Sequence, residues 1–241
     1  MAHDLYYSPD PPKDGILVIT GPEARHISRV MRHEAGNVIG VVDGAGAEYE
    51  VELTGVKADK VTGRVRANTR GAREPKHRVA IAQAVLKGDH LAQVCARGTE
   101  LGVSRIIPIR TARTVGRLSA AKLERLRAVS LAALKSSTRT VLPRIDAATG
   151  LGELHAIIGE FDQALVAYEE ETGPGLDVVL KRKARSVIVV IGPEGGFEAA
   201  EIDALKAAGA VSFSLGPRRL RAETAAVAAA AMTLGMLGDL G

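Results

Sequence analysis

The sequence predicts an α/β protein in two parts: a small β-barrel over residues 1–72, then a domain over residues 73–241 with a mostly parallel sheet. Three observations carry this reading. Between residues 6 and 67, short apolar or alternating runs recur between turn residues, as strands do. From residue 78 onward, apolar runs alternate with helical stripes, the pattern of strand–helix–strand units. Between the two lies Arg70-Gly71-Ala72-Arg73-Glu74-Pro75-Lys76, polar and carrying Gly and Pro, as linkers do.

The elements follow in chain order. Residues 16–19 form a brief apolar run, and residues 24–31 fit one or two helical turns. Val38-Ile39-Gly40-Val41-Val42 leads into Asp43-Gly44-Ala45-Gly46, a turn of residues that tolerate positive φ. Residues 48–56 and 61–67 alternate polar and apolar side chains. In the second part, residues 78–86 read as a strand. Residues 89–101 place Leu91, Val94, Cys95, Gly98 and Leu101 on one helical stripe, stopped by Gly102. Residues 103–109 form the next strand. Ser119 can cap a helix with Leu123, Leu126, Val129 and Ala133 on one face. Residues 164–168 and 186–191 are short apolar strands, the second apolar on both faces as a buried parallel strand should be. A helix over 198–208, a strand over 211–215 and a helix over 225–237 complete the chain. The last helix is apolar nearly all round, so it must be covered by the domain or by a second copy of the chain.

At 241 residues, 46% hydrophobic and 25% charged, the chain sits in the ordinary globular range. No run approaches the roughly 18 apolar residues of a membrane span. Met1-Ala2-His3-Asp4-Leu5 lacks the cationic and apolar regions of a secretory leader, and Cys95 is the single cysteine, so a cytosolic protein without a disulfide is expected. No His, Asp or Glu cluster has metal-ligand spacing, and no metal is expected. The net charge of +4 hides an uneven distribution. Residues 73–145 hold 15 Lys and Arg against 4 Asp and Glu, a net of +11, whereas residues 146–180 hold 0 against 8. Such a stripe is the electrostatic footprint of a phosphate-backbone partner, although a solvated helix face also carries charge runs. With 3% aromatics and no Trp, single-strand binding by extended aromatic stacking is not expected.

The most informative stretch is Val187-Ile188-Val189-Val190-Ile191-Gly192-Pro193-Glu194-Gly195-Gly196-Phe197-Glu198. A buried strand runs into a loop with three glycines, and a helix follows. Glycines let backbone amides approach a ligand closely, and ligands of parallel sheets sit at the carboxyl ends of strands. The loop is neither G-x-G-x-x-G nor a P-loop, which argues against dinucleotides and nucleoside triphosphates. Alone it fits a bare strand-to-helix turn equally well. A second stretch, Leu215-Gly216-Pro217-Arg218-Arg219-Leu220-Arg221-Ala222-Glu223-Thr224, again leads from a strand through Gly to a helix. Glu223 or Thr224 there can serve as a helix cap. The two loops side by side would form a glycine-lined pocket rimmed by Arg218, Arg219 and Arg221.

These two motifs closely resemble the RsmE family. Arg97-Gly98-Thr99-Glu100-Leu101-Gly102-Val103 resembles that family's Lys-Ala-Thr-Glu-Leu-Gly-Val stretch, with Lys87-Gly88-Asp89 before it. His26-Ile27-Ser28-Arg29-Val30-Met31-Arg32 and Asp43-Gly44-Ala45-Gly46 also match, so the resemblance covers nearly the whole chain in order. It implies a SPOUT-class methyltransferase acting with S-adenosylmethionine on N3 of a uridine of 16S ribosomal RNA, uridine 1498, within the small subunit. It further implies a PUA-like RNA-binding barrel, a C-terminal trefoil knot and a homodimer. The cofactor pocket it implies has Ile191, Gly192, Glu194, Gly195 and Gly196 on one side and Leu215, Gly216, Leu220 and Thr224 on the other, completed by Val166 and Ala167. RNA contacts are expected at His26, Arg29, Arg32, Lys87, Arg110, Arg113, Arg117 and Arg139. The chain departs from the family at Ala132-Ala133-Leu134-Lys135-Ser136-Ser137-Thr138-Arg139, where Lys135 and its neighbours replace Glu-Ala-x-x-Gln and Arg139 alone matches clearly.

The chemistry makes demands that these residues meet. Uracil N3 carries a proton and is a poor nucleophile until that proton leaves. The resulting anion spreads onto two carbonyl oxygens, where a guanidinium stabilises it. Arg221 is the expected stabiliser, and Glu223 or Glu194 the expected base. Two other readings stay open: a transfer-RNA base or ribose methyltransferase, and a non-catalytic assembly factor. The intact glycine loop speaks against the latter.

Overall fold

The computed structural model describes residues 5–240. Residues 1–4, read above for a leader, lie outside the described residues. The chain divides into two compact units, Met1–Glu74 with Leu134–Leu142, and Pro75–Ala133 with Pro143–Gly241.

The first unit is built on a five-stranded sheet. Its strands are β1 (Leu5–Tyr7), β2 (Ile16–Thr20), β3 (Val38–Val42), β4 (Ala47–Val56) and β5 (Lys60–Arg70), in the order β1-β3-β4-β5-β2. β1 pairs with β3 in parallel and the remaining pairs are antiparallel. β4 buries alternate residues Ala47, Tyr49, Val51 and Leu53, so its period-2 pattern reads out directly as one core face. The expected Asp43–Gly46 turn forms, with the Asp43 carboxylate accepting from the amides of Ala45 and Ala47. Among the described residues β1 and β2 do not pair, so the expected barrel is a curled sheet with two free edges. The expected helical turns are α1 (Gly21–Arg25), with Pro in its first turn, and a wide π-turn over His26–Val30. Lys135 binds Glu23 at 3.0 Å and Arg139 binds Glu74 at 2.6 Å, tying Leu134–Leu142 into this unit.

The second unit is a three-layer α/β structure. Its strands are β6 (Arg78–Ala84), β7 (Arg105–Arg110), β8 (Arg144–Ile145), β9 (Thr149–Gly150), β10 (Gln163–Ala167), β11 (Ser186–Ile191) and β12 (Ala210–Phe213). All pair in parallel, in the order β12-β10-β11-β6-β7-β8, with β9 also on β7. Helices α2 (His90–Leu101), α3 (Ala120–Ser136), α5 (Leu176–Val179) and α7 (Ala222–Leu237) supply the core on one face, and α4 (Leu151–Ile158) and α6 (Ala199–Ala207) on the other. β11 is buried along its whole length, as its unbroken Val and Ile run requires. Gly102 closes α2 at φ 104°, a left-handed position that costs glycine little, and the amide of Lys122 bonds the Ser119 hydroxyl that caps α3. The last helix starts at Ala222, three residues before its expected start, with no side-chain cap on its first turn. It buries Ala222, Ala226, Ala229, Ala230 and Leu234 inside the unit and leaves Met232 exposed on its other side. β1, β8, β9, α4 and α5 escaped the sequence reading because they are too short or too uniformly apolar to show a period. Among the described residues, no helix is long and apolar enough to cross a membrane.

Candidate active site

A cavity of about 1160 Å³ opens at the carboxyl ends of β10, β11 and β12. Three loops wall it: residues 168–172 after β10, 192–196 after β11, and 214–221 after β12. The glycine loop and the arginine-rich loop thus meet over one cavity. They do so without adjacent strands, because β10 lies between β11 and β12 and contributes the third wall. Sequence spacing could not show this, since the chain visits β10 before either.

Of the expected pocket residues, Ala167, Ile191, Gly192, Glu194, Gly195, Gly196, Leu215, Gly216 and Leu220 line the cavity, as do Arg221 and Glu223. Two do not. Val166 is wholly buried within β10, below the cavity floor, and Thr224 is exposed on the far side of the first turn of α7. Alternation along a strand and the 100° step of a helix turn these neighbours away. Gly196 is buried at φ +72°, a left-handed position that favours glycine, with the Glu169 carboxylate where a Cβ would stand.

The glycine loop is held from three sides by residues far away in sequence. The Gln83 amide donates to the Gly192 carbonyl at 3.0 Å, the Lys87 backbone N–H donates to Glu194 at 2.9 Å, and the Arg113 guanidinium donates to the Gly195 carbonyl at 3.0 Å. Gln83, although fully buried, has an amide oxygen without a partner. His90, at the start of α2, lies with Nδ1 3.0 Å from Glu223 Oε1.

The third loop, Tyr168-Glu169-Glu170-Glu171-Thr172, went unnoticed in sequence, although an acidic run directly after a recognised strand was a usable signal. Tyr168 donates to Glu170 at 2.7 Å, and that bond, with some burial and the negative neighbours, pushes the phenol above its usual range. Glu171 is held below the usual carboxylate range, first by the Ser212 hydroxyl and then by the Gly173 amide.

The expected RNA contacts divide. Arg29 and Arg32 are exposed, whereas His26 is half-buried, its ring edge-on to Tyr6 at 5.8 Å. Lys87, Arg110, Arg113 and Arg117 are exposed. Arg110 spends one donor on the Ala148 carbonyl, and Arg113 lines the cavity itself. Arg139 is a correction: it is 4% exposed and bound to Glu74, which is internal architecture rather than an RNA-facing position. The +11 count also overstates the available charge. Arg73, Arg105 and Lys135 are paired with Glu48, Asp146 and Glu23, acids that lie outside that stretch and so are not in its count.

Residues 72–234 match the family of the RNA methyltransferase domain, and residues 19–66 match the RNA methyltransferase PUA domain. The chain is 36% identical over 217 residues to the ribosomal RNA small subunit methyltransferase E of Bacillus subtilis, covering 86% of this chain and 85% of that one. It is 32% identical over 247 residues to the protein of the same name from Mycobacterium bovis, covering 98% and 91%. Among solved structures, it is similar to a Legionella pneumophila protein assigned as a methyltransferase and solved with the bound cofactor SAM. That pair is 26% identical with a TM-score of 0.87, covering 98% of each chain.

Proposed function

The chain belongs to the family of the ribosomal RNA small subunit methyltransferase E, and from that premise we propose that it methylates N3 of one uridine of 16S ribosomal RNA, uridine 1498, with S-adenosylmethionine as methyl donor. The observation that carries this reading is the shared cavity of the glycine loop and the Arg218–Arg219–Arg221 loop. It has the size and the mixed lining that such a cofactor needs. Ile191, Leu215 and Leu220 offer apolar surface to a base, and the backbone of 192–196 offers polar groups at close range. The place where a Gly196 Cβ would stand is occupied by the Glu169 carboxylate, the movable end of an exposed side chain, and it is the left-handed backbone that calls for glycine there.

When bound, S-adenosylmethionine supplies an electrophilic methyl group on a sulfonium. The chain's own residues supply the rest. Exposed Arg221 stabilises charge on the uracil carbonyl oxygens as N3 loses its proton. Glu223 and Glu194 are the carboxylates that serve proton removal, directly or by orienting the group that accepts the proton. On the PUA-like first unit His26, Arg29 and Arg32 serve RNA contact, and on the second unit exposed Lys87, Arg110, Arg113 and Arg117 neutralise phosphates. The same proposal includes the SPOUT class, with its C-terminal segment tied in a trefoil knot, a homodimer that uses the exposed side of α7, and action in the cytoplasm. The all-parallel order β12-β10-β11-β6 and the exposed Met232 support the first two.

The test is mass mapping of 16S ribosomal RNA after incubating the protein and labelled S-adenosylmethionine with small subunits from a strain lacking this activity. A single 3-methyluridine is expected. A methyl on ribose, or methylation of transfer RNA instead, would replace the reading.

A further inference from the structure

We infer that His90 is the group that takes the N3 proton and that Glu223 is its positioning residue, an inference that rests on the uridine-N3 reading above. The two side chains come from the facing first turns of α2 and α7. His90 Nδ1 lies 3.0 Å from Glu223 Oε1. That nitrogen is completely buried and has no aligned hydrogen-bond partner, while the imidazole as a whole is about one-third exposed and lines the cavity. Nδ1 therefore faces the carboxylate, which leaves Nε2, on the other edge of a ring that lines the cavity, as the nitrogen free to meet a base.

A small rotation of the ring turns the 3.0 Å approach into a hydrogen bond from Nδ1–H to Glu223. The carboxylate accepts but cannot donate when ionised, so it selects the tautomer with the proton on Nδ1 and leaves the lone pair on Nε2. In the step itself the N3–H bond breaks and an Nε2–H bond forms. The electron pair stays on the uracil, and N3 attacks the methyl carbon as the carbon–sulfur bond breaks with its electrons going to sulfur. The imidazolium is stabilised by Glu223 and later returns its proton to water. Histidine is better matched to this task near neutral pH than a carboxylate, whose conjugate acid is too strong to hold the proton. The other expected base, Glu194, is already engaged by the Lys87 backbone amide.

The charges around the ring are few. Besides Glu223 on α7, they are Asp89 immediately before α2, which is paired with Arg125 of α3 and close to Lys122, and Arg221 at the start of α7. Asp89 feels the imidazole at longer range, as one of several positive neighbours that lower its carboxyl, and among the described residues Glu223 is the charged partner of the ring within 4 Å.

The test combines kinetics with the tautomer. On small subunits lacking the methyl group, with S-adenosylmethionine saturating, His90→Ala should lower the single-turnover rate at pH 7 by about 100-fold or more. It should also abolish the acid limb of the pH–rate profile and be partly rescued by added imidazole. Binding of S-adenosylhomocysteine, measured by calorimetry, should stay within about threefold of wild type. In the wild-type protein, ¹⁵N-histidine spectra should show the His90 proton on Nδ1, and Glu223→Gln should move it toward Nε2. A His90→Ala rate within threefold of wild type with the acid limb intact would overturn the inference, and so would a wild-type proton on Nε2. Failure of the underlying reading looks different: the wild-type protein would then leave the subunits unmethylated, or would bind no S-adenosylhomocysteine.

Discussion

The Arg113 guanidinium donates to the Gly195 carbonyl at 3.0 Å, so a residue of the basic stretch is a structural part of the glycine loop. On sequence alone, the basic stretch and the glycine loop are separable, one for docking and one for the cofactor. The structure joins them at this contact. Arg113→Ala is therefore expected to weaken S-adenosylhomocysteine binding by about threefold to tenfold, the range for a half-exposed charged hydrogen bond. Arg117→Ala should leave that affinity unchanged, as calorimetry on both variants would show.

Gly196 is a sharper probe of the pocket than Gly195. At Gly195 an added Cβ meets only the Arg113 side chain, at 3.3 Å, whereas at Gly196 the backbone itself is left-handed and the space is filled by Glu169. Gly196→Ala should cost about 1–2 kcal/mol of stability from the φ +72° backbone and weaken cofactor binding at least tenfold. Gly195→Val should displace Arg113 and lose cofactor affinity while keeping the fold, and Gly195→Ala should do little. Cofactor affinity within threefold of wild type in both folded Gly195→Val and folded Gly196→Ala, read by calorimetry, would mean that neither glycine shapes the pocket.

Docking and chemistry should separate at the remaining arginines. Arg110 and Arg117 are exposed, and reversing both to Glu should weaken all RNAs alike and flatten the dependence of affinity on salt by about two phosphates' worth. Arg221→Ala should leave RNA affinity nearly intact and slow methylation, because its contact is to charge that develops in the transition state. Lost RNA binding with a normal single-turnover rate at saturating RNA would instead make Arg221 another phosphate contact.

Arg139 belongs to stability rather than to RNA. Burial alone would raise the Glu74 carboxyl, but the Arg139 guanidinium and the amides of Thr140 and Val141 outweigh it and hold the group below its ordinary value of 4.5. A lowered carboxyl contributes stability that is present above the ordinary value and is lost as pH falls through the lowered one. Unfolding of the wild-type protein should therefore steepen below about pH 4.5, and Glu74→Gln should flatten that slope. Arg139→Ala should cost about 3 kcal/mol, since it leaves a mostly buried carboxylate without its partner. The salt dependence of RNA binding should not change.

Much of this molecule could be read from local pattern. The alternation of β4, the unbroken apolar run of β11, the Gly102 stop of α2 and the Ser119 cap of α3 each express a rule that acts within a few residues. The same holds for the cavity loops, because a strand that ends in glycines and turns into a helix announces itself in any context. What the pattern could not carry was the order of strands in the sheet. β10 inserts between β11 and β12, and this single non-local choice brings the acidic 168–172 loop into the cavity. Gln83, His90 and Arg113 reach the site across separations of tens of residues and bear no motif. Arg139 shows the converse, since a charge that reads as surface became interior once Glu74 folded against it. Sequence by itself determined the elements and the chemical character of the two loops, because hydrophobic period and turn chemistry are properties of a short stretch of backbone. Only the tertiary structure decided which side chains share the cavity, which charges remain free and which face each pocket residue presents, because those depend on pairing and burial between segments that no local rule connects.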